Sequence, residues 1–331
     1  MKIAICIAFL LSAALAANVK INPLSDDFIN HINSQQNHWK AGKNFDETIP
    51  ISEFKKLMGV REAISKSRRT PTVHSKDIEI PESFDARTNW PECSKVIGEI
   101  VDQSACGSCW AVSTTSAISD RRCIASGGKL QVPVSAIDLM SCCWVCGDGC
   151  NGGTMEFAWD YWINAGIVTG GGYNSSLGCK PYPFKPCDHH VEGKHVQCTT
   201  LSYDTPPCSQ DCYNELDFNS ELTFGKSETQ GFGAVEDIQR EISTNGPVTA
   251  SLAVFEDFLS YKSGVYHHVV GEKLGLHAVR IIGWGTENNV AYWLVANSWN
   301  EDWGDLGLFK IRRGENECGI EEVVNAAQAK V

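Results

Sequence analysis

The chain has 331 residues, 43% of them apolar and 21% charged, which allows about two globular domains and excludes a disordered or collagen-like protein. Lys and Arg number 28 against 40 Asp and Glu, a net charge of -12, which argues against a nucleic-acid partner held by phosphate contacts. Fifteen cysteines point to an oxidising compartment and a disulfide framework, hence to a secreted or vesicular protein.

At the start, Lys2 precedes an apolar stretch from Ile3 to Leu11, and Ala14 and Ala16 form the small-x-small pattern of a signal peptidase site. Residues 1–16 therefore read as a removed leader, whose loss takes Cys6 and leaves an even fourteen cysteines. A membrane span needs about 20 apolar residues, and Asn18 and Lys20 interrupt too soon; no later stretch is long enough, so no membrane span is expected.

From about Asn18 to Asp77 there is no cysteine, and a composition boundary falls near Ile80. The segment carries polar helical stretches and ends in Ser65 to His74, a basic run with the texture of a protease-sensitive linker. A propeptide over 17–79 fits this pattern; a small helical domain that stays attached is the alternative.

Beyond Ile80, Cys109 to Ala125 lacks Gly and Pro and predicts a helix opening just after Gly107 and Ser108. Nearer the C-terminus, Val279 to Ile282 before Gly283, Ala291 to Ala296 and Leu308 to Ile311 predict strands, each bounded by Gly or Asn. A helical half followed by a β-rich half, class α+β, places a cleft between them, where a site is expected.

Peptide hydrolysis at mild pH needs a nucleophile, a base, a group to orient the base and donors for the oxyanion. Cys109 stands at the predicted helix start, where the positive end of the dipole favours a thiolate. His277 precedes one strand-like run and Asn297 closes another, ahead of Ser298 and Trp299. Taken singly, each has a plainer reading: a packed or disulfide cysteine, a core histidine, a turn asparagine.

The run Cys106-Gly107-Ser108-Cys109-Trp110, with Gln103 upstream, Cys150-Asn151-Gly152-Gly153 between and Asn297-Ser298-Trp299 near the end, resembles the papain family of cysteine peptidases. The resemblance implies a papain-like fold with helical left and β-barrel-like right halves over 80–331, and no cofactor. It implies that Cys109 attacks the carbonyl, His277 acts as base and then acid, and Asn297 orients His277. Gln103 and the Cys109 N–H would form the oxyanion hole. Gly152 and Gly153 would pair with an extended substrate, and Trp299 would shield the Asn297–His277 bond. A thiolate pKa lowered to roughly 3–4 is expected.

His277 follows Cys109 by 168 positions, against roughly 130–150 for the family, so a segment is inserted. The surplus lies in a block with Cys179, Cys187, Cys198, Cys208 and Cys212, and its 187–198 portion resembles the occluding loop of cathepsin B-like members. There His189 and His190 would receive a substrate's C-terminal carboxylate, best at acid pH, giving dipeptide release beside internal cleavage. Asp102 would tether the first histidine; the second tether, an arginine facing an aspartate, is replaced by His195 opposite Asp302, which implies a looser loop. A zinc site from Cys187, His189, His190, His195 and Cys198 is a rival reading, as is a plain stapled loop; an oxidising compartment favours no metal.

The resemblance also implies the pairs Cys93–Cys123, Cys106–Cys150, Cys142–Cys208, Cys143–Cys146, Cys179–Cys212 and Cys187–Cys198, leaving Cys109 and Cys318 free. Departures cluster at the S2 pocket: Thr154-Met155 follows the glycines, Leu276 precedes His277, and the family's acidic residue aligns with Val323 or, after a deletion, Glu322. Apolar P2 side chains are then expected to be preferred over Arg. Trp39 to Phe45 matches the family's propeptide, whose continuation would lie backwards through the cleft. Asn174-Ser175-Ser176 is the one glycosylation acceptor. Expected partners are peptide and protein substrates, the chain's own propeptide as inhibitor and cystatin-type inhibitors. A monomer in a lysosome or outside the cell, the gut lumen included, is the expected setting. The rivals in other classes are a cathepsin-like binding or storage protein and a disulfide-rich lectin or matrix module.

Overall fold

The computed structural model describes residues 21–61, 72–188 and 193–331. The leader, Lys66, Arg68, Arg69, His189 and His190 lie outside the described residues. No helix among the described residues is long and apolar enough to cross a membrane.

The N-terminal segment forms helix α1 (Asp26–Gln35), strand β1 (Trp39–Ala41) and helix α2 (Ile51–Leu57). Ser25 caps α1 by accepting from the Phe28 N–H, Asp26 and Asp27 favour its positive end, and Phe28, Ile29 and Ile32 bury one stripe. Trp39 anchors the segment: its Nε1 donates to the His267 carbonyl at 3.0 Å, and its ring lies 5.1 Å from that of Tyr266. Asn44 Nδ2 donates to the carbonyls of Leu259 and Tyr261, at 2.8 and 2.9 Å. Strand β1 thereby lies antiparallel on an edge of the body's main sheet, satisfying backbone groups an edge would leave open.

The central helix α3 runs over Cys109–Ala125, as its composition predicts, and most of its residues are buried all round. Several of its polar side chains are satisfied in place: Thr114 and Ser119 donate to carbonyls one turn back, and Arg121 pairs with the buried Glu241 at 2.7 Å. Helix α4 (Met155–Asn164) packs beside it, and α5 (Val235–Asn245) carries Glu241.

The other strands of the main sheet are β2 (Phe84–Asp85), β3 (Gly225–Phe232), β4 (Val248–Phe255), β5 (Tyr261–Tyr266), β6 (Lys273–Glu287), β7 (Val290–Ala296), β8 (Leu308–Arg312) and β9 (Val324–Ala329). They form one sheet in the order β1-β5-β8-β7-β6-β4-β9-β3, with β2 on β6; only β5–β8 is parallel. Among the described residues the sheet's ends do not pair, so the β-rich half is not a closed barrel, and the class is α+β, as expected. Nor does Gly283 end its strand. A bulge between Ile281 and Gly283 bends β6, which continues to Glu287 against β7 and β2.

Residues 72–81 are tied to the body. The Thr72 N–H donates to the Gly231 carbonyl at 2.7 Å, the His74 N–H to Asp237 at 3.0 Å, and the Trp284 Nε1 to the Pro81 carbonyl at 3.0 Å. The His74 ring stacks on Phe232, with Nε2 2.8 Å from the Glu241 carboxylate.

Candidate active site

Helix α3 and strands β6 and β7 bring the chemistry-bearing residues together. Cys109 is the first residue of α3, and the adjoining loop is locked: Ser108 shares a 2.8 Å hydrogen bond with the Tyr182 hydroxyl, which donates to the Gln103 carbonyl at 3.0 Å. Ser298 Oγ donates to Gln103 Oε1 at 2.7 Å, which fixes the amide so that Nε2 faces the cleft side. That Nε2 donates to the Cys106 carbonyl at 2.8 Å and to the Leu57 carbonyl of the N-terminal segment at 3.1 Å. Neither Tyr182 nor Ser298 was singled out as a site residue from the sequence; a tyrosine 73 positions after Cys109 carries no local signal.

His277 lies within β6 and is fully buried. Its Nε2 is 2.8 Å from Asn297 Oδ1, which also accepts from the Ser298 N–H at 2.8 Å and so presents oxygen to the ring. Trp299 is buried, its ring centroid 5.1 Å from that of His277. His277 Nδ1 is buried and makes no hydrogen bond of good geometry.

The N-terminal segment fills the cleft. Cys109 Sγ accepts from the Gly59 N–H at 3.2 Å and from the Ala278 N–H at 3.4 Å. The Gly153 N–H donates to the Gly59 carbonyl at 2.9 Å, the Arg61 N–H to the Gly153 carbonyl at 3.2 Å, and the Val60 N–H to the Leu276 carbonyl at 3.1 Å. The chain thus runs parallel to Gly153 and antiparallel to Leu276. Two glycines make this approach possible. A Cβ on Gly59 would stand 2.0 Å from the Gly107 carbonyl oxygen and 3.0 Å from Sγ, and one on Gly153 would stand 2.6 Å from the Trp110 ring. Gly152 has φ +96° beside it.

The thiolate expected of the mature enzyme is disfavoured while this cover is in place. Burial pushes the Cys109 thiol up to about 11, against the opposing N–H donors of Ala278 and Gly59. Burial also pushes His277 down to about 4, although Asn297 and the Leu57 carbonyl favour its charged form. Removal of water thus disfavours the charged form of both groups in the covered state.

The inserted block is stapled by Cys187–Cys198, which leaves neither sulfur for zinc, and no group of three His, Cys, Asp or Glu among the described residues suits a metal ion. Asp102 accepts from the N–H groups of Ser104 and Cys187 and from Asn300 Nδ2, at 2.7, 3.1 and 3.2 Å. It thus fixes the root of the loop, and Asn300, which also donates to the Cys187 carbonyl, is a second root residue missed in the sequence. The exposed His195 donates its N–H to Asp188 and forms no ion pair with Asp302 among the described residues. Lys194, His195 and Asp302 instead line a cavity of about 270 Å³.

The other disulfides are Cys93–Cys123, Cys106–Cys150, Cys142–Cys208, Cys143–Cys146 and Cys179–Cys212; Cys109 and Cys318 are free. Val323 is buried, whereas Glu322 is exposed and accepts from Asn316 Nδ2 at 3.0 Å. Leu276 packs partly buried on the core. Asn174 is exposed on a turn at φ +57°.

The profile of papain family cysteine proteases matches residues 80–328, and that of the peptidase family C1 propeptide matches residues 24–63. The chain belongs to the papain family of cysteine proteases. Within it, the chain is similar to a cathepsin B-like cysteine proteinase of Schistosoma japonicum, 48% identical over 320 residues, 95% of this chain and 93% of the relative. It is 47% identical to cathepsin B-like cysteine proteinase 6 of Caenorhabditis elegans over 310 residues, 90% of this chain and 82% of the relative. Among solved structures, procathepsin B S9 from Trypanosoma congolense superimposes with a TM-score of 0.79 at 40% identity, over 93% of this chain and 99% of the other. The chain is thus a cathepsin B-like cysteine peptidase zymogen.

Proposed function

We propose that Cys109, His277, Asn297 and Gln103 perform peptide-bond cleavage once residues 17–79 leave, and that one cleft both cuts internally and releases C-terminal dipeptides. The observation that carries this reading is the path of Leu57 to Arg61. Its main-chain groups engage Gln103, Cys109 Sγ, Gly153 and Leu276, the contacts an extended substrate would use in its place.

With the cover gone, water returns and the proton moves from Cys109 Sγ to His277 Nδ1, the ring nitrogen left unpaired. Sγ then bonds to the substrate carbonyl carbon. The oxyanion takes hydrogen bonds from Gln103 Nε2, freed of Leu57, and from the Cys109 N–H. Collapse breaks the C–N bond as imidazolium gives its proton to the departing amine. Water, deprotonated by His277, then attacks the thioester and restores the thiol. Asn297 Oδ1 holds the ring through Nε2 in every step.

His189 and His190 would bind the substrate's C-terminal carboxylate at the loop end of the cleft, and a buried Val323 with Glu322 turned to Asn316 supports apolar P2 side chains over Arg. The same reading makes the enzyme a monomer of the lysosome or extracellular space, the gut lumen included, its Asn174 open to glycosylation and its open cleft a target of cystatin-type inhibitors. The test is to assay activated enzyme on matched peptides with free and amidated C-termini at pH 5 and 7. Turnover of both is expected, with dipeptide release falling relative to internal cleavage as the histidines lose charge. An unchanged ratio would contradict the histidine role, and no turnover of either peptide would contradict the whole reading.

A further inference from the structure

Trp144 is 87% exposed and its neighbour Val145 is 68% exposed, yet they sit between two buried cysteines. Large aromatic side chains left in water on a rigid support are typical anchors of an interface. The support here is stiff: Cys143 is bonded to Cys146, Cys142 to Cys208, and the Cys146 N–H donates to the Cys143 carbonyl at 3.0 Å. It is also joined to the cleft wall. The Thr154 N–H donates to the Cys146 carbonyl at 2.8 Å, the Asp148 N–H to the Gly152 carbonyl at 2.8 Å, and Gly147 bridges to Gly153.

The chain already lying in the cleft shows where an extended peptide passes. Gly59 covers Sγ, Val60 pairs with Gly153 and Leu276, and the Arg61 guanidinium lies 3.8 Å from the Asp148 carboxylate. Two positions out from the sulfur, a peptide has reached the loop that carries Trp144. The opposite end, at Leu57, shares a cavity with Asp188 and Cys198 of the 187–198 loop, so the Arg61 end takes the substrate's N-terminal side.

We infer that Trp144, with Val145, is an apolar anchor for peptide substrates, gripping an aromatic or aliphatic side chain three or four residues N-terminal to the scissile bond. The inference rests on the peptidase reading and adds a specificity-determining residue to it. The preorganised loop lowers the ordering cost of such a contact, and the indole offers a wide flat face.

The test compares activated enzyme with its Trp144→Ala and Trp144→Phe variants on a hexapeptide bearing Phe and Leu at those positions and on a blocked dipeptide substrate. The ratio of kcat/KM, long over short, is expected to fall about tenfold in Trp144→Ala, through KM, and to recover largely in Trp144→Phe. Peptide mapping checks that Cys143–Cys146 is intact. An unchanged ratio in Trp144→Ala, or equal losses on both substrates, would overturn the inference. In parallel, affinity of the hexapeptide for Cys109→Ala enzyme is expected to drop about tenfold on adding Trp144→Ala, a readout that survives even if the turnover reading fails; an equal affinity overturns the anchor.

Discussion

The N-terminal segment and the peptidase body are held by different means. Residues 21–61 contain no cysteine and meet the body through one edge strand, the Trp39 anchor and a run of main-chain bonds. The body carries six disulfides and a nine-stranded sheet, eight strands of it its own. Cross-links of this kind act mainly on the unfolded state, so the body keeps its cleft when the cover is lost. The cover, with no covalent tie besides the chain, can leave in one cooperative step. Inhibition and catalysis thus rest on separable sets of interactions.

The largest effect on that separation is expected at Trp39. Trp39→Ala deletes a ring buried to 4% exposure and the bond to the His267 carbonyl, a change that costs about 3–5 kcal/mol in a packed site. The full-length zymogen should then show a background peptidase activity roughly 100- to 1,000-fold above that of the unsubstituted zymogen, while the mature enzyme made from it is unaltered. A background activity no higher than that of the unsubstituted zymogen would break the contrast.

A smaller effect is expected at Gly59. A methyl 2.0 Å from the Gly107 carbonyl oxygen forces the covering strand outward, and overpacking of this kind costs about 1–3 kcal/mol. Gly59→Ala should therefore process itself roughly 10- to 100-fold faster, followed as loss of the full-length band. Processing at the unsubstituted rate would show that Gly59 does not set the fit.

The mildest lever is pH. Under the cover His277 is held at about 4, against 6.5 in a free chain. Where Cys109 is replaced by Ala and cannot supply the ring's proton, the covered state keeps its full stability above 6.5 and loses it as the pH falls towards 4, because only the uncovered ring takes a proton from solvent. Hydrogen exchange in residues 21–61 of the Cys109→Ala zymogen should report an opening equilibrium that rises by up to about tenfold per pH unit between 6.5 and 4. An opening constant flat across that range would remove His277 from acid activation.

Much of this was legible in the sequence where the signal was local. The Gly-free, Pro-free run from Cys109 to Ala125 is a helix, and the ordered motifs around Cys109, His277 and Asn297 lie on elements that meet at one cleft. What was not legible depends on contacts distant in the chain. The Leu57 carbonyl on Gln103 joins positions 46 apart, and the hydroxyl of Tyr182 supports Gln103 across 79. The disfavoured charge on Cys109 and His277 follows from water excluded by residues 57–61, which no motif around either residue encodes. Gly283 misled because a bulge lets a strand pass through glycine.

The account turns on whether the cover alone keeps Cys109 from being a nucleophile. The direct measurement is alkylation by iodoacetamide at pH 5.5, with each modified cysteine identified by mass spectrometry, before and after removal of residues 17–79. The account predicts an inert Cys109 in the zymogen and rapid, stoichiometric labelling in the mature enzyme, far ahead of Cys318, the other free thiol. Equal labelling of Cys109 in both forms, or a mature Cys109 no faster than Cys318, would contradict it.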